Sequence, residues 1–484
     1  MHQKEYECCI LGAGPAGLGT AMELVKHRVR DCVVIDRNHT VGGLSRTEVF
    51  DGTRFDVGPH RFFTKNREIN QLWHDTLGEE FVPVERLTRI FYNKKLFNYP
   101  LKAGDALTKM GITESMHAMF SFALAKFYRS RDAVSFEDWI VAKFGRKIYE
   151  TFFKTYTEKV WGIPCDQIGA EWAAQRIKGL DLFQVMKNTL RLNKKDNIKT
   201  LVDQFDYPLL GAGYMYEAMA DKVAARGVHV LTDTTIQQFQ RNDREITAIK
   251  VRDRDGNSFL IKAGHYFNSI PITTFFKMLS PVEDDRVQKA ADSLYFRDHI
   301  TVNLLVDSTD VFPDQWIYIH APEVLMARVA NYRNFSAKMV PAGKSALSVE
   351  YFVFKGDQVW NKSDEELIRL AVEEMHRSTL IKNDQVEKGW VVRETESYPT
   401  YYIGFQEPYS VLKQVLNQYK NLTPIGRGGL YKYNNQDHSI YSGLLAARNY
   451  AKSEPVRYNL WDINIDAEYQ ESLERQELDE FSKH

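Results

Sequence analysis

Four cysteines in 484 residues are too few for a disulfide framework. Cys8, Cys9, Cys32 and Cys165 form no Cys-x-x-Cys pair, so buried thiols of a reducing compartment are expected, not a metal site. No stretch of about 18 apolar residues occurs, so no transmembrane segment is expected. The most apolar helical run, Met116 to Phe127, reads as a buried helix, with a shallow membrane contact as the lesser alternative. A basic segment followed by an apolar one is missing at the start, which makes a cytoplasmic location the expectation. Charge of one sign is lacking as well. Lys and Arg number 63 against 64 Asp and Glu, a net charge of −1, so no global field recruits nucleic acid. Any cationic function must be local to a pocket. No His-Glu-x-x-His, cysteine cluster or Gly-x-Ser-x-Gly is present, which removes the signatures of zinc proteases and serine hydrolases.

Glycine supplies the first positive signal. Tyr6 to Leu11 reads as a strand, Gly12-Ala-Gly14-Pro15-Ala16-Gly17 follows at once, and a helix is expected to about His27. Cys32 to Ile35 reads as a second strand that ends on Asp36. In this unit Gly12 permits the tight turn, Gly14 lets backbone approach a pyrophosphate, and Gly17 allows close helix–sheet packing. Asp36 lies 22 residues beyond Gly14, near the offset at which an acid bonds a ribose hydroxyl. Candidate cofactor contacts here are Gly12, Gly14, Pro15, Ala16, Gly17, Asp36 and Arg37. The motif alone does not separate NAD from FAD. A second glycine pair, Gly42-Gly43, stands just after the acid, as in FAD proteins of the glutathione-reductase-like group, and adds Gly43, Leu44 and Ser45.

The remaining pattern interleaves two kinds of structure. Residues 96–204 are mostly helical and rich in aromatics, with Ser135-Phe-Glu-Asp138 as a helix-starting capping box. Gly211-Ala-Gly213 leads a helix to Arg226, and short strands follow over Val228–Leu231, Thr234–Phe239, Ile246–Val251 and Phe259–Lys262. Asp255-Gly256 marks a hairpin between the last two, and Ile236 joins the candidate cofactor contacts. Residues 296–355 are strand-rich, a helix is expected over about 364–379, and Leu422–Asn449 reads as strand, glycine turn and helix. The expected architecture is α/β: a glutathione-reductase-like, FAD-binding Rossmann domain (1–95, 205–285, 396–460) interleaved with a helical (96–204) and β-sheet (286–395) substrate domain. An acidic tail, 461–484, completes the chain.

Gly42-Gly-Leu-Ser-Arg-Thr47 with Phe55-Asp-Val-Gly-Pro-His60 resembles the amine oxidase and protoporphyrinogen oxidase superfamily. Three further segments are similar to UDP-galactopyranose mutases. They are Glu158-Lys-Val-Trp161-Gly-Ile-Pro164 with Trp172-Ala-Ala-Gln-Arg176, Ala327-Arg328-Val-Ala-Asn-Tyr-Arg-Asn-Phe335-Ser, and Tyr431-Lys-Tyr433-Asn-Asn435-Gln-Asp437-His438-Ser. The resemblance spans roughly residues 6–455. It implies that reduced FAD acts as a covalent catalyst at the anomeric carbon of a nucleotide sugar, UDP-linked sugars being the first candidates, and interconverts pyranose and furanose rings. It also admits NADPH or NADH as reductant and a homo-oligomeric state.

By the same resemblance Arg176 and Arg328 hold the diphosphate, and His60 sits in a loop by the flavin face; these three are the candidate catalytic residues. Arg427, Asn435, Gln436, Asp437 and Ser439 would contact cofactor or sugar, although Asp437 and His438 read equally well as a helix cap. Tyr99, Trp161, Tyr398 and Tyr433 would frame the substrate, each with plain core as its alternative. The chain departs from the mutase pattern at Thr157, Phe335 and Lys102. Two other readings remain open: a flavin amine oxidase or protoporphyrinogen oxidase-like oxidoreductase, and a flavin-free escort protein.

Overall fold

The computed structural model describes residues 3–127, 133–170, 172, 204–382, 385–452 and 457–463. Its first layer grows from the strand Gln3–Leu11, which lies parallel between Cys32–Ile35 and Ser258–Asn268. Cys8, Cys9, Ile10 and Leu11 are fully buried, as a parallel strand covered on both faces requires. The strands read over 228–262 appear at His229–Leu231, Thr235–Asn242, Glu245–Arg252 and Ser258–Asn268. With Leu279–Ser280 and Leu422–Pro424 they complete an eight-stranded sheet. Gly256, at the expected hairpin, has φ +85°. The helix Pro15–Lys26 packs on the sheet and against Gln436–Ala451. Gly443 permits that contact, since a Cβ there would stand 2.2 Å from the Ala16 carbonyl.

The second layer is a seven-stranded mixed sheet in the order Val386–Pro399, Phe296–Val306, Ser345–Val353, Arg328–Asn331, Trp316–Ile319, Thr88–Tyr92, Lys95–Asn98. One face carries aliphatic residues, among them Ile317, Ile319 and Val349, into a core with the helix Asp364–Arg377. The other face presents Trp316, Tyr318 and His320 at alternate positions. In register across the strands, Ile90 pairs Tyr318, Tyr318 pairs Arg328, and Arg328 pairs Glu350.

Helices between Ala103 and Trp161 cover this second face. The capping box forms as expected, Ser135 Oγ accepting from Asp138 N at 3.1 Å and Asp138 Oδ2 from Ser135 N at 3.1 Å. One expectation fails here. The helix Ile112–Phe127 is not buried: Ile112, Met116, Met119, Phe120 and Leu124 stand exposed along one stripe. Among the described residues it packs on the helices at 103–110, 136–144 and 146–149, with Ala118 buried and Gly145 against the backbone of Ser121 and Phe122. Among the described residues no helix is long and apolar enough to cross a membrane. All four cysteines are buried and free, as expected.

Candidate active site

A cavity of about 810 Å³ runs between the two sheets, from the first glycine turn to the aromatic face of the second sheet. At its dinucleotide end, geometry comes from backbone. Gly12 has φ +101°, and a Cβ there would stand 2.2 Å from Ser269 Oγ. Gly17 admits none either, the Gly12 carbonyl lying 1.8 Å away. Gly14 differs. A Cβ there would meet only ordinary contacts at 3.7 Å or more, so nothing in the chain demands glycine; only something in the cavity would.

The second glycine pair docks on the first: Gly42 N donates to the Ala13 carbonyl at 2.8 Å, and Gly43 lies against Gly14. Asp36 is buried and accepts from Ala13 N (2.7 Å) and Asn38 N (2.9 Å), while burial pushes its pKa upward. Arg46, in the same turn, is structural. It bonds the Gly43 carbonyl at 3.0 Å and ion-pairs with Glu48 and Glu394. Two helices open onto this end without side-chain caps, Pro15–Lys26 behind Gly14 and Gln436–Ala451 behind Asn435. Their paired N-termini and the glycine cradle suit the pyrophosphate of a dinucleotide, and the residues present fit FAD.

At the far end geometry comes from side chains. Arg328 donates Nε and Nη2 to Glu350 at 2.8 and 2.6 Å, and the buried carboxylate holds the guanidinium charged. Arg427 is held differently. Its Nη1 bonds the Ser397 carbonyl (3.1 Å), its Nη2 the Asn434 carbonyl (2.6 Å), and it lies over Tyr398 and Tyr433 at 5.0 and 5.3 Å. Among the described residues no carboxylate pairs with it, so it presents net positive charge to the cavity.

His60 lies between the two ends. Its Nδ1 faces the Gly58 carbonyl at 2.8 Å and must donate there, which leaves Nε2 as an acceptor. Burial, then Arg427 and Arg328, lower its pKa to about 3, so the ring is neutral.

Of the residues expected from the sequence, Gly12, Gly14, Pro15, Ala16, Asp36, Arg37, Gly43, Leu44, Ser45, His60, Tyr99, Ile236, Arg328, Arg427, Tyr433, Asn435, Gln436, Asp437 and Ser439 all line this one cavity. Gly17 lies under the turn as a packing glycine. Trp161 takes its alternative as core, buried behind the wall and edge-on to Trp172 and Tyr433. Tyr398, half-buried, lies under Arg427 and against Tyr433. Arg176 lies outside the described residues, as does the acidic tail beyond Ile463. Asp437 and His438 occupy the first turn of their helix, but neither side chain caps it.

Gln436 is oriented internally, Nε2 donating to the Arg61 carbonyl (2.8 Å) and Oε1 accepting from the Tyr216 hydroxyl (2.7 Å), which leaves its second N–H and its backbone N–H for a ligand. Sequence reasoning missed Phe152, Tyr156, Trp316, Tyr318 and His320 in the wall. The alternation Trp316-Ile-Tyr318-Ile-His320 was the available signal: one strand face is aliphatic and the other is not.

Comparison with known proteins agrees with this geometry. Residues 10–76 match the model of an NAD(P)-binding Rossmann-like domain. A curated protein named probable UDP-galactopyranose mutase, from Klebsiella pneumoniae, is 28% identical over 217 residues, a match that takes in 44% of this chain and 52% of that protein. The crystal structure of a reduced UDP-galactopyranose mutase superposes with a TM-score of 0.83 at 19% identity, covering 96% of both chains. A putative protoporphyrinogen oxidase from Exiguobacterium sp. 255-15 gives 0.68 at 15% identity, covering 94% of this chain and 100% of the other. Putrescine oxidase bound to putrescine gives 0.62 at 15% identity, covering 93% and 100%. The expected resemblance is therefore borne out as a likeness in sequence and fold, and the fold is a mixed α/β one built on a Rossmann dinucleotide-binding unit.

Proposed function

We propose that the chain is an FAD-dependent mutase that interconverts the pyranose and furanose forms of a nucleoside-diphosphate sugar, with a UDP-linked sugar as substrate and NADPH or NADH as the source of reducing equivalents. The observation that carries this reading is the cationic far end of the cavity. Among the described residues Arg427 has no counter-carboxylate, and Arg328 lines the same cavity, an arrangement that attracts a diphosphate and repels the ammonium group of an amine substrate. The closer superposition on a mutase than on the two oxidases supports the same choice.

Gly12, Gly14, Asp36, Gly43, Ser45 and the open helix end at Asn435 would hold FAD. When bound in reduced form, the cofactor would supply an electron-rich ring nitrogen able to act as nucleophile toward an anomeric carbon. The chain's own groups do the rest. Arg328 and Arg427 grip the diphosphate and stabilise the negative charge it gains as it leaves the sugar. Arg176 shares that role in this reading, on the strength of resemblance alone. Tyr433, flat beneath Arg427, and Tyr99 offer walls and hydroxyls to the sugar nucleotide. Neutral His60 offers an acceptor nitrogen to an N–H or O–H of the bound ligands without adding a third charge.

The test is incubation of purified chain, oxidised or dithionite-reduced, with UDP-galactopyranose and with a panel of amines. Furanose product formed only after reduction, with no oxygen uptake on amines, is the expected result. Amine-dependent oxygen consumption with no ring contraction would overturn it in favour of an oxidase, and a colourless protein unable to take up FAD would overturn both.

A further inference from the structure

We propose that the Tyr216 hydroxyl is a positioning group for the flavin-facing wall, fixing three separate chain segments against one another without touching cofactor or substrate. The inference rests on the flavin reading of the cavity given above. Tyr216 is fully buried on the helix Ala212–Ala224 and does not line the cavity. Its hydroxyl donates to Gln436 Oε1 at 2.7 Å. Gln436 Nε2 in turn donates to the Arg61 carbonyl at 2.8 Å, one residue beyond His60. Arg61, His60 and Gln436 all line the cavity, so the helix of Tyr216, the histidine loop and the start of the last long helix are the three segments joined.

Every direction in this relay is fixed by chemistry. A carbonyl only accepts, so the amide nitrogen faces Arg61 and the amide oxygen faces the phenol, which must donate. Burial pushes the phenol's pKa well up, so its proton stays in place.

The helix that carries Tyr216 is itself anchored to the same segments. Gly211 has no side chain to cap it, and the hairpin Thr47–Asp56 does so from outside. Ala212 N donates to Asp56 Oδ1 at 3.0 Å and Gly213 N to Thr47 Oγ1 at 2.8 Å. Asp56 precedes His60 by four residues, so the hairpin is pinned to the same helix whose tyrosine, through Gln436, holds the loop beyond it. Without the hydroxyl the Gln436 amide loses its orientation, the Arg61 carbonyl loses its partner, and His60 is free to shift by a distance that matters to a positioned reaction.

The experiment is a double-mutant cycle on FAD-loaded enzyme with Tyr216→Phe, Gln436→Leu and the pair, reading the visible circular dichroism of bound flavin alongside kcat and KM. Tyr216→Phe is expected to keep one flavin per chain and a KM within about twofold, to alter the flavin dichroism, and to lower kcat about tenfold; the double variant should be no worse than Gln436→Leu alone. Native dichroism and kcat in Tyr216→Phe, or losses that multiply in the double variant, would overturn the proposal. The dichroism arm needs no substrate, so it decides the matter even if the native chain forms no furanose, a result that would count against the mutase reading alone. Gln436→Leu gives the same spectral signal without touching the buried helix, should Tyr216→Phe prove unstable.

Discussion

The two ends of the cavity are built by opposite means. At the dinucleotide end, glycines and two open helix starts do the shaping, and the elements that supply the first turn lie within some 30 residues of one another. At the far end, four strands bring together side chains from positions 90 to 350, Arg427 comes from the short helix Gly426–Leu430, and the charges are carried by guanidinium groups held in two different ways. A backbone-built site is defined by what cannot be added to it. A side-chain-built site is defined by what cannot be removed.

Substitutions can break that contrast or sharpen it. The largest effect is expected at Gly17, where alanine would drive a methyl into the Gly12 carbonyl; a loss of at least ~3 kcal/mol of stability should show in a denaturant melt. Gly14→Ala should leave the melt of the apoprotein unchanged and weaken FAD binding about tenfold or more, measured by flavin retention on dilution. If both variants melt alike, the division between packing glycine and ligand glycine fails.

At the other end, Arg328→Ala leaves the Glu350 carboxylate buried and unpaired, which should cost ~3–5 kcal/mol of stability. Adding Glu350→Gln should recover most of the stability and none of the activity. Arg427 has no such dependent charge, so Arg427→Lys should leave the melt near native and weaken UDP binding roughly ten- to a hundredfold, read by quenching of flavin fluorescence. Equal stability losses at the two arginines would show that the free and paired cations are not distinct after all.

The smallest effect concerns Asp56, which lies between the ends. Burial raises its pKa to about 7 in spite of bonds from Tyr207, Thr47 and Ala212 N. A carboxyl raised in the fold contributes stability that is full below about pH 4, its unfolded range, and is lost as the pH climbs to about 7. Asp56→Asn should flatten the fall of stability with pH across that window, as measured by urea midpoints at each pH.

Legibility in the sequence followed the same division. The strand, turn and helix around Gly12 and Gly17 could be read because each demand is local and each glycine has a steric reason within the motif. Arg328 and Arg427 were reached through resemblance, since charge alone does not tell a paired surface arginine from one over a cavity. The stripe Trp316, Tyr318, His320 went unread because its meaning depends on which sheet face the aliphatic partners take. That Tyr216 and Arg61 orient the Gln436 amide went unread, because both partners are remote in the chain. The exposed stripe of Ile112–Phe127 was misread for a related reason. Apolar spacing tells which residues face one way, not whether a neighbour covers them.

The two uncapped helices carry one more consequence. Gly19 lies against Ile440 and Glu23 meets Arg448 further along, so the helices run side by side with their positive ends at the same mouth. Two like partial charges brought to one cavity repel, and each weakens its neighbour. An anion lodged there turns mutual repulsion into joint attraction. FAD is thus expected to act as a keystone of the first layer, and the melting temperature should climb with the logarithm of free FAD concentration.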